Sequence, residues 1–257
     1  MEKRILWVNP LGTDVFDAPT REYLRRNAGP GVTVDVVSFP RGPRHLEYHY
    51  YSALMLPGLL HSIKLAERNG YDGAIIGCFY DPGLREAREI TDRLVVTAPE
   101  EAALHIASTL GERFSVIAVR DKCIPAMRDN AVRYGFGEKI ASFKSLGLGV
   151  HDLHGDDATT MSRLERCAQE AVERDGAEVI ILGCTITYGF FRELQDALRV
   201  PVIDAMLAPL EYIQLLIEVK RRFDWGHSKR LGYESPPVEE IYEWGLDRDW
   251  DCPRLWG

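Results

Sequence analysis

Two stretches of this chain end alike. Tyr71-Asp72-Gly73-Ala74-Ile75-Ile76-Gly77-Cys78 and Gly176-Ala177-Glu178-Val179-Ile180-Ile181-Leu182-Gly183-Cys184 both close an isoleucine-rich run with Gly-Cys, and the offset is 184 − 78 = 106 residues. Flanking pieces shift similarly. Arg4-Ile5-Leu6-Trp7-Val8 resembles Arg113-Phe114-Ser115-Val116-Ile117, and Leu94-Val95-Val96-Thr97-Ala98 resembles Pro201-Val202-Ile203-Asp204-Ala205. Self-similarity at a fixed offset marks a duplicated structural unit, so any fold for this chain has to accommodate two copies of one pattern.

Within each copy, short apolar runs bounded by Gly, Pro or Asp alternate with longer stretches of helical spacing, the signature of β-α units feeding a mainly parallel sheet. Strands are expected at Arg4–Val8, Val32–Ser38, Gly73–Gly77, Val95–Thr97, Phe114–Val119, Ile140–Leu146, Val179–Gly183 and Val202–Asp204. Helices are expected at Tyr51–Asn69, Pro82–Arg93, Glu100–Leu110, Ile124–Tyr134, Thr159–Asp175, Phe190–Leu198 and Met206–Phe223. The expected fold class is therefore α/β: two pseudo-symmetric lobes, each a mainly parallel sheet flanked by helices, with the active site in the cleft between them. The first lobe takes residues 1–97 and 206–223, and the second takes 98–205. Residues 224–257 form a tryptophan-rich extension (Trp225, Trp244, Trp250, Trp256) with a short helical pattern at Val238–Trp244, expected to pack on the core or grip a neighbouring copy.

Charge narrows the partners. With 31 basic against 39 acidic residues the net charge is −8, which argues against phosphate backbones and anionic membranes. No apolar run approaches the roughly 18 residues of a spanning helix, and the opening Met1-Glu2-Lys3-Arg4 lacks a signal peptide's long apolar segment. Five cysteines, Cys78, Cys123, Cys167, Cys184 and Cys252, make an odd and widely spaced set, which favours a reducing, cytoplasmic setting. The partner expected is a small molecule, with neither nucleic acid nor membrane, and a homo-oligomer is compatible with the tail.

Cys123 and Cys167 taken singly read as apolar core residues. Cys78 and Cys184 differ, because the repeat puts both at the carboxyl edge of a central strand, where open parallel sheets place their ligand crevices. Each follows a glycine, which permits close approach of backbone and ligand, and each precedes residues able to start a helix or turn. A helix N-terminus or a nearby polar donor lowers a thiol pKa from about 8.5 toward neutrality, so thiol and thiolate would both be accessible. One thiolate then removes a proton next to a carbonyl while the opposite thiol protonates the other face. Backbone N–H groups after Gly77 and Gly183 would stabilise the enolate-like intermediate. No metal or cofactor is required.

Asn9-Pro10 after the first strand, Gly77-Cys78-Phe79-Tyr80-Asp81-Pro82-Gly83-Leu84, the Glu101-Ala102-Ala103 helix, and Gly183-Cys184 with Val200-Pro201-Val202-Ile203-Asp204 resemble the aspartate/glutamate racemase superfamily, specifically its hydantoin racemase branch, over residues 4–223. The resemblance implies two α/β lobes, cofactor-independent catalysis with Cys78 and Cys184 as the two bases, and five-membered cyclic ureides such as 5-substituted hydantoins or allantoin as substrates. It implies that Asn9, Gly77, Phe79, Gly183 and Thr185 line the substrate pocket, Asn9 bonding a ligand's polar atoms. The chain also departs from the pattern. Leu11-Gly12-Thr13 replaces the usual Asn-Thr-Ser, Ala118-Val119-Arg120 replaces small hydroxyl residues, and Thr185-Ile186-Thr187-Tyr188 replaces a small glycine-rich segment, so the pocket is expected to be reshaped. Arg120, if turned inward, would pair with a substrate carboxylate.

Other patterns are weaker. His45 and His49 stand four residues apart with Glu47 between them, but no third ligand is fixed by spacing, and metal binding is not expected. No Gly-x-Gly-x-x-Gly or phosphate-loop pattern follows a strand, and no Gly-x-Ser-x-Gly marks a serine nucleophile. His151–Asp157 reads as a polar loop leading to a helix capped near Asp157 or Thr159. Two alternatives to racemisation stand: a same-fold isomerase, decarboxylase or (thio)hydantoin-processing lyase or hydrolase using one or both cysteines, and a non-enzymatic small-molecule sensor whose cysteines are core.

Overall fold

The structure is a computed structural model and describes residues 2–245. Cys252, Trp250 and Trp256, on which part of the tail reading rests, lie outside the described residues. Nine α-helices and eight strands alternate along the described chain. The strands form two four-stranded parallel sheets of identical connectivity, β2-β1-β3-β4 and β6-β5-β7-β8.

The first sheet comprises β1 (Lys3–Val8), β2 (Val32–Val37), β3 (Gly73–Ile76) and β4 (Val95–Thr97). The second comprises β5 (Phe114–Ala118), β6 (Ile140–Ser145), β7 (Val179–Leu182) and β8 (Val202–Ile203). Shifting β3 by the sequence offset of 106 gives 179–182, the bounds of β7, so the repeat is a structural one. The central strands are apolar on both faces because helices cover both. Gly73–Ile76 and Val179–Leu182 are buried throughout, whereas the edge strand β6 is half-buried along its length.

The helices are α1 (Asp17–Asn27), α2 (His49–Arg68), α3 (Leu84–Ile90), α4 (Pro99–Leu110), α5 (Ile124–Arg133), α6 (Asp157–Glu173), α7 (Phe191–Leu198), α8 (Leu207–Phe223) and α9 (Val238–Glu243). Helix α1 has no counterpart in the sequence reading. Its Asp-Ala-Pro-Thr-Arg-Glu-Tyr-Leu-Arg-Arg-Asn carries no apolar stripe, and only Thr20 and Leu24 are buried. Helix α6 is capped one residue before the expected position, Asp156 accepting the Thr159 N–H. The expected Pro82–Arg93 helix shortens to Leu84–Ile90 because Asp81 and Gly83 adopt left-handed backbone conformations, with φ of 49° and 70°. No helix of the described residues is long and apolar enough to cross a membrane.

Contacts divide the described chain into two compact units. The first contains 2–77, 82–97 and 210–245, and the second contains 78–81 and 98–209. In the first unit the segment after α8 closes the open edge of β4. His227 Nε2 accepts the Val96 N–H at 3.1 Å, the Arg88 guanidinium bonds the Val96 carbonyl at 2.9 Å, and Lys229 Nζ bonds the carbonyls of Arg88 and Glu89. An edge strand whose amides are capped by its own chain offers no template for another.

Burial, with the Arg88, Lys220 and Lys229 cations adding to it, lowers the His227 pKa to about 3. A folded pKa depressed below the unfolded value of about 6.5 gives stability present above pH 6.5 and lost as pH falls toward 3. Amide exchange at Val96, corrected for intrinsic rates, should therefore show protection falling progressively below pH 6.5. In His227→Gln that acid-side loss should disappear.

Candidate active site

Four elements of the second unit converge at the carboxyl end of its sheet: the segment Cys78–Asp81, the short turn Asp121–Cys123 after β5, the turn Thr185–Thr187 after β7, and the N-terminus of α4. Because β5 and β7 are hydrogen-bonded neighbours, their following turns share one sheet edge.

Cys78 is partly exposed, whereas Cys123 and Cys184 are buried, and all three are free thiols. Burial pushes the Cys78 thiol well above its ordinary pKa. The backbone N–H of Tyr80, bonded to the sulfur, pulls the other way, and the neighbouring Cys184, Asp81 and Cys123 push it further up. Of the two expected activators, a nearby polar donor is present as the Tyr80 N–H, but burial outweighs it, and no α-helix N-terminus lies at Cys78. Helix α3 starts six residues after Cys78, and the desolvated thiol keeps its proton at neutral pH. The two sulfurs of Cys78 and Cys184 nonetheless feel one another, so ionising one disfavours ionising the other.

The Cys78–Asp81 segment is held by buried polar bonds. Asp81 Oδ1 accepts the Glu100 N–H at 2.9 Å, its Oδ2 accepts the Glu101 N–H at 2.8 Å, and the Tyr134 hydroxyl donates to Oδ2 at 2.9 Å. The carboxylate thus caps α4 from a distant part of the chain. Asn130 Nδ2 donates to the Tyr80 carbonyl and to Glu100 Oε2, both at 2.9 Å. Burial raises Asp81 to about 7 against the pull of its two N–H donors. Glu100 is raised by burial and by the Asp81 charge, and its Oε1 has no partner. With three donors on Asp81 and one on Glu100, the pair keeps its proton on Glu100.

The segment after Cys184 is fixed equally firmly. Thr187 Oγ1 and N–H both donate to the Cys184 carbonyl, at 2.6 and 3.1 Å. His154 Nε2 pairs with the Ile186 carbonyl at 2.8 Å, and its ring stacks on Phe190 with centroids 5.3 Å apart. Thr185 is buried at 8% exposure and Phe79 at 3%. Arg120 is half-buried at the entrance to the Asp121–Cys123 turn.

Of the residues expected at the pocket, Cys78, Phe79, Gly183, Cys184 and Thr185 belong to the second unit, and Asn9 and Gly77 to the first. In the first unit Trp7 Nε1 donates to Asn9 Oδ1 at 2.7 Å, and Asn9 Nδ2 donates to Asp17 Oδ1 at 2.7 Å. A Cβ on Gly77 would lie 2.3 Å from Trp7 Nε1 and 2.9 Å from Asn9 Oδ1, so this glycine makes room for the tryptophan and asparagine side chains. A Cβ on Gly183 would meet the Ile117 carbonyl and Val116 Cγ1, each at 2.9 Å.

Sequence reasoning passed over Tyr80 and gave Cys123 to the core. Burial raises the Tyr80 phenol's pKa, and Cys123, Cys78 and Cys184 push it further up. The signal available was the position of Cys123 at the end of β5, adjacent to β7. Cys167 is buried as expected, its thiol donating to the Ser145 carbonyl at 3.4 Å. Among the described residues no group of three or more His, Cys, Asp and Glu side chains is placed to hold a metal ion; His45 packs its ring against Tyr48 and Tyr51.

A duplicated parallel α/β scaffold with a cysteine after each central strand defines a class, and the comparisons fall within it. The Asp/Glu/Hydantoin racemase family model matches residues 5–213. The chain is 33% identical to the hydantoin racemase of Paenarthrobacter aurescens over 238 residues, covering 92% of this chain and 99% of that one. It is 31% identical to the hydantoin racemase of Pseudomonas sp. (strain NS671) over 237 residues, covering 92% and 93%. Among solved structures, allantoin racemase from Klebsiella pneumoniae superposes with a TM-score of 0.83 at 29% identity, covering 91% of this chain and 94% of that one. The chain belongs to the Asp/Glu/hydantoin racemase family, in its hydantoin racemase branch, and is an isomerase of the racemase type.

Proposed function

We propose that this protein racemises a 5-substituted, hydantoin-like cyclic ureide by proton transfer between Cys78, Cys184 and the C5 carbon of the ring. The observation that carries the reading is the placement of two free cysteines directly after the equivalent central strands β3 and β7. The C5–H of such a ring is acidified by the adjacent carbonyl. A thiolate takes that proton, the C–H electron pair moves onto the carbonyl oxygen, and the facing thiol returns a proton to the opposite face. One thiol and one thiolate exchange roles in each turnover, which suits two sulfurs that resist simultaneous ionisation.

The raised pKa of Cys78 fits a proton donor in the resting protein. Backbone N–H groups of the tightly held segments after Gly77 and Gly183 would meet the developing oxyanion. On this reading Asn9, with one amide hydrogen left after its bond to Asp17, offers a donor to a ring oxygen, and Phe79 and Thr185 shape the pocket. The protein is expected to work in a reducing cytoplasm, where its thiols stay free. The test is polarimetry of a single enantiomer of a 5-alkyl hydantoin with the purified protein and no added cofactor. Rotation should decay to zero with unchanged product mass. A product of different mass would replace racemisation by lyase, hydrolase or decarboxylase chemistry, and constant rotation would reject catalysis on this substrate class.

A further inference from the structure

The Cys78–Asp81 segment is gripped from α5. Asn130 and Tyr134 stand four residues apart, within that helix and at its C-cap, and both reach the segment. Asn130 Nδ2 donates to the Tyr80 carbonyl at 2.9 Å, and the Tyr134 hydroxyl donates to Asp81 Oδ2 at 2.9 Å. An amide nitrogen carries two hydrogens, and the second goes to Glu100 Oε2, also at 2.9 Å, tying α5 to the first turn of α4. Asn130 is buried, so water is no ready substitute for either bond.

The segment itself is a tight turn. The Asp81 N–H donates to the Cys78 carbonyl at 3.0 Å, and Asp81 stands at φ 49°, a left-handed conformation that a residue with a side chain holds only where its surroundings impose it. The carboxylate imposes it here, fixed by the Glu100 and Glu101 N–H groups and by the Tyr134 hydroxyl. The turn thus begins at the thiol-bearing residue and ends on the grip.

We infer that Asn130 and Tyr134 are positioning residues for Cys78, fixing the backbone that carries its thiol by holding the Tyr80 carbonyl and the Asp81 carboxylate. The inference rests on the two-cysteine reading above. Neither side chain exchanges a proton with the substrate; the pair acts on geometry alone. Proton transfer requires the sulfur to stand against C5, and a displacement of about 1 Å can cost about 10²-fold in rate. The segment after Cys184 has its own ties, through Thr187 and His154, so loosening the α5 grip should be felt at one sulfur only.

Asn130→Ala removes both amide hydrogens at once. Its kcat on a 5-alkyl hydantoin should fall by about 10–10²-fold, with KM within about twofold of the parent. The second readout is the rate of iodoacetamide alkylation at each cysteine, followed by peptide mass spectrometry. Burial keeps the Cys78 thiol protonated, so a loosened and better hydrated segment raises its thiolate fraction. Cys78 should then be alkylated about 10-fold faster while Cys184 keeps the parent rate. A residue that merely stabilised the fold would speed both cysteines together. A kcat within about twofold of the parent overturns the inference, as does equal acceleration at both cysteines. Should Asn130→Ala fail to fold, Tyr134→Phe takes its place, since it keeps the ring and removes one donor from Asp81. It should lower kcat by about 3–10-fold with the same selective alkylation, and parent-like values overturn the inference. Cys78→Ser and Cys184→Ser, measured alongside, separate the two claims: inactive cysteine variants with a parent-like Asn130→Ala sink only the positioning role, and active cysteine variants sink the two-base reading itself.

Discussion

Cys78→Ser and Cys184→Ser should each lower racemisation by about 10³-fold or more while melting within a few degrees of the parent. A serine hydroxyl fits the space of a thiol but neither ionises near neutral pH nor matches its acidity, so it supplies neither the base nor the acid, and removing a unit of coupled proton-transfer machinery is costly in this range. The double variant should be scarcely worse than either single one, because the two sulfurs act as one device. Chiral separation of the product under initial-rate conditions reads the effect. Single variants retaining more than a tenth of the parent rate would contradict the assignment of both bases. The same substitutions at Cys167, bonded to the Ser145 carbonyl away from this segment, should leave the rate unchanged.

The second large effect is on stability. Gly77→Ala puts a methyl group 2.3 Å from Trp7 Nε1, and Trp7 has no exposed surface into which to retreat. Relief requires displacing the tryptophan or breaking its bond to Asn9, whose other hydrogen bond holds Asp17. Overpacking a dense interior costs about 1–3 kcal/mol, and orphaning a buried donor adds a further 1–3 kcal/mol, giving about 4 kcal/mol at mid-range. At this chain length the melting temperature should fall by roughly 10 °C. A fall of less than 2 °C would mean that the indole moves freely and that Gly77 is not required by packing. Gly183→Ala, which meets a backbone carbonyl at 2.9 Å, should also destabilise.

The extent to which this molecule was legible from its residues follows from what each kind of signal depends on. The central strands were readable because burial on both faces leaves continuous apolar runs; Gly73–Ile76 and Val179–Leu182 begin where the sequence places them and end one residue earlier. The repeat was readable because Gly-Cys ends both copies, and it translates into β3 and β7 at the same offset. Helix α1 was not readable because a helix buried at only two positions carries no periodic stripe.

At the site, Cys78 and Cys184 stood out by position in the repeat, but the state of the Cys78 thiol did not. Local sequence suggested a helix terminus, whereas its pKa is dominated by burial, a property of the packed structure. The same holds for the Asp81–Glu100 pair. Nineteen residues separate them in sequence, and only folding places the Asp81 carboxylate on the Glu100 N–H. Tyr80 and Cys123, far apart in sequence, likewise influence one another only in the folded chain.

Two-base inversion leaves a distinctive isotopic record. With a single enantiomer of an undeuterated 5-alkyl hydantoin in heavy water, quenched at a few per cent conversion, the product enantiomer should carry one deuterium at C5. The recovered starting enantiomer should still carry hydrogen, because the sulfur that removed the proton returns the same one when the reaction reverses. Equal deuterium in both enantiomers at that stage would mean that one exchangeable base serves both faces, and product without deuterium would mean that the original proton is carried across the ring; either result contradicts a pair of sulfurs acting from opposite sides.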